Sequence, residues 1–389
     1  MQISKNHSIS ALYTDIGRGH PNYLDSTLRV LRPMCAERNT NIEITSVFKI
    51  SRAISACAWK TIEWIYRTGP QNELLSAVYN KIRNRKSEPG RQGLLLRILA
   101  RDIRHYYADF KGIILVAHPL LVQMLSGDHR VAYIHGEIAA PREFDLSGAE
   151  KIYVPLSETS EKMITAGIAP SKIETTGLML EPELEAQRGL IITARRMRIG
   201  KIDKPVIGCF NSGAYPREHV DQMVKIIKYI LSNRTGRITL SAGNDPAKYE
   251  YFQKVLAEFK PVYDKNDFIE NKTGLLILHD SDREKLTLKE IEILEHIDFL
   301  VMAAHERVNW SLGLQIPSLL LKPHYGSFAT ENYQFALKHS LVYENAEVTN
   351  AIDSFITDFR NKGKQLTLEY IAFPTNGSIQ TAQSILQNK

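Results

Sequence analysis

Ile9-Ser10-Ala11-Leu12-Tyr13-Thr14-Asp15-Ile16-Gly17-Arg18-Gly19-His20-Pro21 is the stretch on which the reading of the fold turns. Its first six residues, Ile9 to Thr14, are a short β-prone apolar run. Two glycines follow, and glycine lets the backbone turn sharply and approach a ligand closely. Pro21 suits the first turn of a helix, and Leu24, Leu28 and Leu31 then recur at helical spacing on one face. Strand, glycine turn, helix is the opening of a parallel α/β unit, and the free N–H groups at such a helix start attract a phosphate or a developing negative charge.

The same rhythm continues along the chain. Further strands are expected at Ile44 to Phe48, Ile113 to Ala117, Val131 to Ile134 and Lys151 to Val154. In the second half they are expected at Val206 to Phe210, Ile238 to Ala242, Leu275 to Leu278, Phe299 to Met302 and Ser318 to Leu321, with helical patterns such as Val220 to Leu231 and Tyr249 to Phe259 between them. Alternation of this kind implies parallel sheets covered by helices, with ligands at the carboxyl ends of the strands. A chain of 389 residues has room for two such domains, and Glu181-Pro182 and the charged lead-in from Lys201 to Pro205 place the boundary near 181–204. Ile379, Ala382, Ile385 and Leu386 mark a last packed helix after Pro374.

Residues 52–107 depart from the rhythm and read as a helical insertion. Trp59, Ile62, Trp64, Ile65 and Tyr66 form an aromatic-rich stretch, and Arg91 to Tyr107 is amphipathic. Arg97, Arg101 and Arg104 share one face; Leu95, Leu99, Ile103 and Tyr106 share another. Such a helix either lies on an anionic bilayer or packs in a core with a solvated cationic side. Between Lys81 and Arg104 eight cations face two anions, an excess equal to the whole net charge of +6. A patch this concentrated points to an anionic surface: membrane, nucleic acid or phosphate. No nucleic-acid recognition motif accompanies it. The three cysteines, Cys35, Cys57 and Cys209, lie far apart, in neither a disulfide framework nor a zinc spacing, so a reducing compartment is expected. The first residues, from Met1 to His7, lack the apolar run of a signal peptide, and no stretch approaches the ~20 apolar residues of a membrane-spanning helix.

Chemistry-bearing residues cluster after the expected strands. His20 follows the first, His118-Pro119 the strand from Ile113, and His135-Gly136-Glu137 the strand from Val131. His20 and His135 are the candidate acid–base residues; His118 and Glu137 stand beside them. No carboxylate or cysteine spacing supports a metal among them, so none is expected. In the second half, Asn211-Ser212-Gly213 follows one strand and Gly243-Asn244 the next, short polar turns able to hold a diphosphate through backbone N–H groups. His305, Glu306 and Asn309, then Glu331 and Asn332, complete a rim with groups for ribose and sugar hydroxyls.

In this order the residues resemble the glycosyltransferases that include monogalactosyldiacylglycerol synthase, processive diacylglycerol glucosyltransferase and the lipid II N-acetylglucosaminyltransferase. Gly17-Arg18-Gly19-His20 resembles that family's glycine-rich acceptor-side loop. The passage Tyr153-Val154-Pro155, Ser157-Glu158, Ala166-Gly167-Ile168, Lys172-Ile173, Thr176-Gly177 resembles its approach to the interdomain linker, and Gly243-Asn244 its "G-R-N" loop. The resemblance implies a GT-B fold: two Rossmann-like domains whose parallel sheets face a central cleft. It implies an acceptor-binding domain over 1–180 with a membrane-contacting insertion at 52–107, a linker over 181–204, a donor-binding domain over 205–373 and a C-terminal helix over 374–389. It further implies an inverting, metal-independent transfer from a UDP-sugar, which is a substrate rather than a cofactor, to a lipid or lipid-linked hydroxyl. The site would be cytoplasmic, on the inner face of the membrane, with the 81–104 segment touching anionic lipid. Gly17 and Gly19 would join the phosphate-binding set. The sequence departs from the family at Ala304-His305-Glu306-Arg307-Val308-Asn309-Trp310, which has no glycine and puts Asn309 or Trp310 near the expected ribose-gripping glutamate, and at Gln315, where the family has glycine. The alternative reading is therefore a GT-B protein without catalysis that binds a phosphorylated or lipid ligand.

Overall fold

The computed structural model describes the chain except residues 1–7, 15, 17–18, 69–93, 142–144, 211–212, 214, 271–272, 368–371 and 388–389. The described residues form two compact units. The first comprises Met1–Pro182 with Tyr325–Glu331 and Pro374–Lys389; the second comprises Glu183–His324 with Asn332–Phe373.

In the first unit the order is β1 (Ile9–Tyr13), α1 (Gly19–Glu37), β2 (Ile42–Ser46), α2 (Val47–Ile50), α3 (Ala53–Thr68), α4 (Leu94–Tyr107), β3 (Ile113–Val116), α5 (Pro119–Leu125), β4 (Arg130–Ile134), β5 (Lys151–Val154), α6 (Ser157–Thr165) and β6 (Ile173–Thr175). All pairings are parallel, in the order β2-β1-β3-β4-β5-β6. Strand side chains alternate between the sheet's faces. Ile9, Ala11 and Tyr13 therefore join one core, with Leu24, Leu28 and Leu31 of α1 and Ala382 and Ile385 of the C-terminal helix. Leu12, Ile114, Val116 and Tyr133 join the other, with Trp59, Leu99, Ile103 and Tyr107.

That second core draws on the segment 52–107. Its described residues supply the helical layer that closes one face of the sheet between β2 and β3. Trp59 is fully buried and its indole N–H donates to the Leu99 carbonyl at 3.3 Å, fastening α3 to α4. The aromatic stretch thus divides between core and surface, because Trp59 and Trp64 are five residues apart and project from different sides of the helix. Tyr66 and 81–93 of the basic segment lie outside what is described here.

The second unit holds α7 (Pro182–Arg198, from Glu183 on), β7 (Val206–Phe210), α8 (Arg217–Asn233), β8 (Arg237–Ser241), α9 (Pro246–Val255), α10 (Lys265–Glu270), β9 (Leu275–Leu278), α11 (Arg283–Ile293), β10 (Phe299–Met302), α12 (Val308–Gly313) and β11 (Ser318–Leu320). The sheet is parallel, in the order β11-β10-β7-β8-β9. Then come α13 (Gly326–His339), α14 (Val348–Arg360), α15 (Lys364–Thr367) and α16 (Gly377–Gln387), the last of these packing on α1 within the first unit. Most of the stretch expected as a linker is the helix α7. Its arginines serve the second unit: Arg188 and Arg195 donate to the carbonyls of Gly313 and Leu314, and Arg198 pairs with the buried Asp298 at 2.8 Å. Asp298 also accepts from the backbone N–H of Val206 at 2.9 Å, so one carboxylate fastens the start of β7 to the end of α7. Nine of the ten expected strands fall within a residue or so of their places; that expected at Ile44 to Phe48 begins at Ile42 and gives way to α2 at Val47. The eleventh, β6, is a three-residue edge strand too short to announce itself by periodicity.

Candidate functional site

Each sheet has one place where consecutive connections leave in opposite directions, and in open parallel sheets ligands bind there, at the carboxyl ends of the strands. In the first unit it lies between β1 and β3, and in the second between β7 and β10. The residues singled out by sequence gather at both.

His20 stands in the first turn of α1, directly after β1, and His118 directly after β3. They flank the first switch point with ring centroids 4.7 Å apart and planes tilted by 59°. His118 is the N-cap of α5: its Nδ1 accepts the Leu120 N–H at 3.2 Å, which puts its proton on Nε2. His20 is partly exposed, and Gly19 is the first residue of the helix. Gly17 and Arg18 lie outside the described residues.

His135 follows β4, the next strand over, and is 1% exposed. Its Nδ1 accepts from the Tyr133 hydroxyl at 2.9 Å and its Nε2 donates to the Ala139 carbonyl at 2.8 Å, which fixes the tautomer. Burial depresses its pKa to about 3, helped by the nearby His20, against the opposing pull of the Ala139 carbonyl. With its only lone pair already engaged and its ring held neutral, His135 is built to hold the β4 loop in place. That geometry argues against the proton-accepting role expected for it; Tyr133, which pins it, carried no sequence signal beyond an alternating strand. Glu137 is also buried, 7% exposed. Gly136 between them has no room for a side chain: an added Cβ would fall 2.2 Å from Cδ1 of Tyr23.

In the second unit the loop after β7 contains Gly213, which is partly buried; Asn211 and Ser212 lie outside the described residues. Gly243, after β8, has φ +80°, and a Cβ there would meet the Tyr215 hydroxyl at 2.5 Å. This glycine therefore packs against Tyr215, whose hydroxyl donates to the Ser241 carbonyl at 3.1 Å. Asn244 beside it is exposed.

The loop after β10 is the richest. His305 is partly buried; Glu306, Arg307 and Asn309 are 8%, 3% and 2% exposed. Oε1 of Glu306 is buried with no hydrogen-bond partner among the described residues. Asn332 donates from Nδ2 to the Ala304 carbonyl at 3.2 Å and braces the same loop from α13. Glu331 groups with the first unit, where Lys162 holds it at 2.7 Å. Among the described residues no group of histidine, cysteine or carboxylate side chains has the arrangement of a metal site, and no helix is long and apolar enough to cross a membrane.

No protein-family model matches the sequence, and no curated protein does. Among solved structures the chain is similar to the UDP-GlcNAc 2-epimerase of Neisseria meningitidis, solved bound to UDP-GlcNAc, at 13% identity over 98% of this chain and 100% of that one, with a TM-score of 0.57. It is similar to the UDP-GlcNAc 2-epimerase of Methanocaldococcus jannaschii at 13% identity, 98% and 99% coverage and a TM-score of 0.55. The S. aureus MnaA-UDP co-structure matches at 9% identity, 98% and 96% coverage and a TM-score of 0.54. At such identities the likeness is one of fold. The fold is GT-B: two Rossmann-like units, each with a wholly parallel sheet.

Proposed function

We propose that this chain acts on a nucleoside-diphosphate sugar, UDP-linked by preference, and transfers the sugar with inversion and without a metal to a lipid or lipid-linked hydroxyl. The observation that carries the reading is Glu306: a buried carboxylate oxygen without a donor, in the loop beside the second unit's switch point. A buried unpaired acceptor is costly unless something arrives to satisfy it. A ribose diol supplies two hydroxyl donors, and the diphosphate beside it would meet the backbone of the loop after β7. In the first unit His20 takes the proton of the acceptor hydroxyl. That oxygen bonds to the anomeric carbon as the bond from this carbon to the diphosphate oxygen breaks, and the nucleoside diphosphate leaves with the electron pair.

A membrane-bound acceptor agrees with the outer surface of α3 and α4. Ile54 and Trp64 of α3 and Leu94 and Leu95 of α4 are 66%, 54%, 76% and 57% exposed, and Arg97 and Arg101 of α4 are exposed as well. Exposed apolar side chains and cations on the same two helices suit the interface of an anionic bilayer, which for this reading is the cytoplasmic face.

Calorimetry with UDP tests the reading. A hydrogen bond to a charged group is worth about 1.5–3 kcal/mol, so Glu306→Gln should weaken UDP binding by about 10- to 150-fold. In the wild type 2′-deoxy-UDP should lose a comparable factor, and in the variant it should lose little more. A wild-type chain that binds no nucleoside diphosphate would overturn the reading.

One observation favours a second reading. Glu137, in the loop after β4, is a buried carboxylate, a group suited to moving a proton on a sugar. The similar solved structures named above are 2-epimerases or were solved with UDP. Incubation with UDP-GlcNAc and no acceptor separates the two: an epimerase yields the 2-epimer, a transferase at most slow release of UDP.

A further inference from the structure

Helix α11 carries a charge where its pattern calls for a hydrocarbon. Leu286, Glu290 and Ile293 recur at helical spacing on its buried face, and Glu290 is fully buried. Both of its oxygens are engaged. Oε1 accepts from the hydroxyl of Ser241, at the end of β8, at 2.5 Å; Oε2 accepts from Nη2 of Arg307 at 2.5 Å. The Arg307 guanidinium also lies over the ring of Trp310, with Cζ 3.6 Å from the centroid. Trp310 in turn meets Phe210, the last residue of β7, edge to face at 5.4 Å. One buried ion pair thus ties α11 to the ends of β7 and β8 and to the loop after β10. Arg307 immediately follows His305 and Glu306, so anchoring it sets where their backbone lies.

A buried ion pair rarely outperforms apolar residues of similar volume in stability, because desolvation offsets the Coulombic attraction. Stability alone therefore gives no reason for Glu290. We propose that Glu290 is a positioning residue: through Arg307 it holds residues 303–309 in the one conformation that presents Glu306 at the second switch point. The inference rests on the nucleotide-sugar reading for its purpose, though not for its geometry. Glu290 touches no substrate and acts through the loop.

The test replaces the pair with hydrocarbon. Glu290→Met alone leaves Arg307 buried without its counter-ion and is expected to lower Tm. The double variant Glu290→Met/Arg307→Met removes both charges and is expected to regain a Tm close to the wild type's. Two measurements follow on the double variant. Hydrogen–deuterium exchange should rise at 303–309 while β7, β8 and β10 keep their protection. The Kd for UDP should rise at least tenfold. A double variant that recovers stability and exchanges at 303–309 like the wild type overturns the proposal, whatever it binds. A double variant with raised exchange and wild-type UDP affinity overturns it also, since the loop's order then serves no nucleotide. If the wild type binds no UDP, the nucleotide reading falls, and the exchange measurement still decides whether Glu290 orders the loop.

Discussion

Gly136 is where a single methyl group reads out the packing of the first site. A Cβ at this position would lie 2.2, 2.3 and 2.4 Å from Cδ1, Cγ and Cε1 of Tyr23. Carbon atoms rest at about 3.5–4.0 Å, so ring or loop has to retreat by about 1.3 Å. The ring has little freedom to do so: Tyr23 is 3% exposed and belongs to the core that joins β1, β3 and β4 to α1. Forcing extra volume into a filled core costs about 1–3 kcal/mol, so Gly136→Ala should lose that much stability. At about 2–4 °C per kcal/mol for a unit of this size, Tm should fall by about 2–12 °C. Differential scanning calorimetry on Gly136→Ala, Tyr23→Ala and the double variant isolates the contact. Removing the ring should relieve most of the alanine's penalty, giving a coupling of about 1 kcal/mol or more. Because Gly136 lies between His135 and Glu137, the proposed transfer should lose turnover further than UDP affinity, which the proposal assigns to the second unit. A Tm within a degree of wild type, or the same alanine penalty with and without the Tyr23 ring, would refute the steric reasoning.

Three further outcomes are expected. His20→Ala should lower turnover by about 10²–10⁴-fold at unchanged UDP affinity, the usual worth of a general base; near-normal turnover in steady-state assays removes His20 from that role. His135 titrates in the unfolded chain near 6.5 and in the folded chain at about 3. Its folded value is depressed, so its contribution is fully present above pH 6.5 and is lost as pH falls, at about 1.4 kcal/mol per unit, until the folded value is reached. Urea melts at pH 7.5 and 5.5 should therefore differ by about 1.4 kcal/mol more in the wild type than in His135→Gln; equal differences would mean the ring is not held neutral. Flotation with phosphatidylglycerol vesicles should carry the wild type at low salt, less at high salt, and should fail for Trp64→Ser/Leu95→Ser, because each apolar side chain buried in the interface is worth about 1.5–3 kcal/mol. A double variant that floats like the wild type would move the membrane contact elsewhere.

The strands and their turns were legible because their signals are local. A run such as Val206–Phe210 is apolar throughout because a parallel sheet is covered on both faces, and all five residues are buried. The histidines could be placed at strand ends from spacing alone. Their division of labour could not. His118 proves to cap a helix and His135 to be locked between Tyr133 and Ala139, and nothing in the sequence tells which groups engage a histidine's nitrogens. Gly243 reads in the sequence as part of a phosphate turn, and its packing against Tyr215, which leaves no room for a Cβ, carried no sequence signal. Glu290 did carry a signal, a carboxylate at helical spacing between Leu286 and Ile293.

Periodicity along the chain was therefore enough to establish the alternation of strands and helices, the two α/β units and the strand ends that carry the polar loops, because each has a local signal. The order of strands within each sheet, and with it the position of the switch points, depended on which distant segments pair, and local preference carries no record of that. The same holds for Glu290 with Arg307, 17 residues apart, and for Trp59 under Leu99, 40 residues apart. Only folding brings such groups out of water together, and only there does a buried charge acquire its partner or an apolar ring its core.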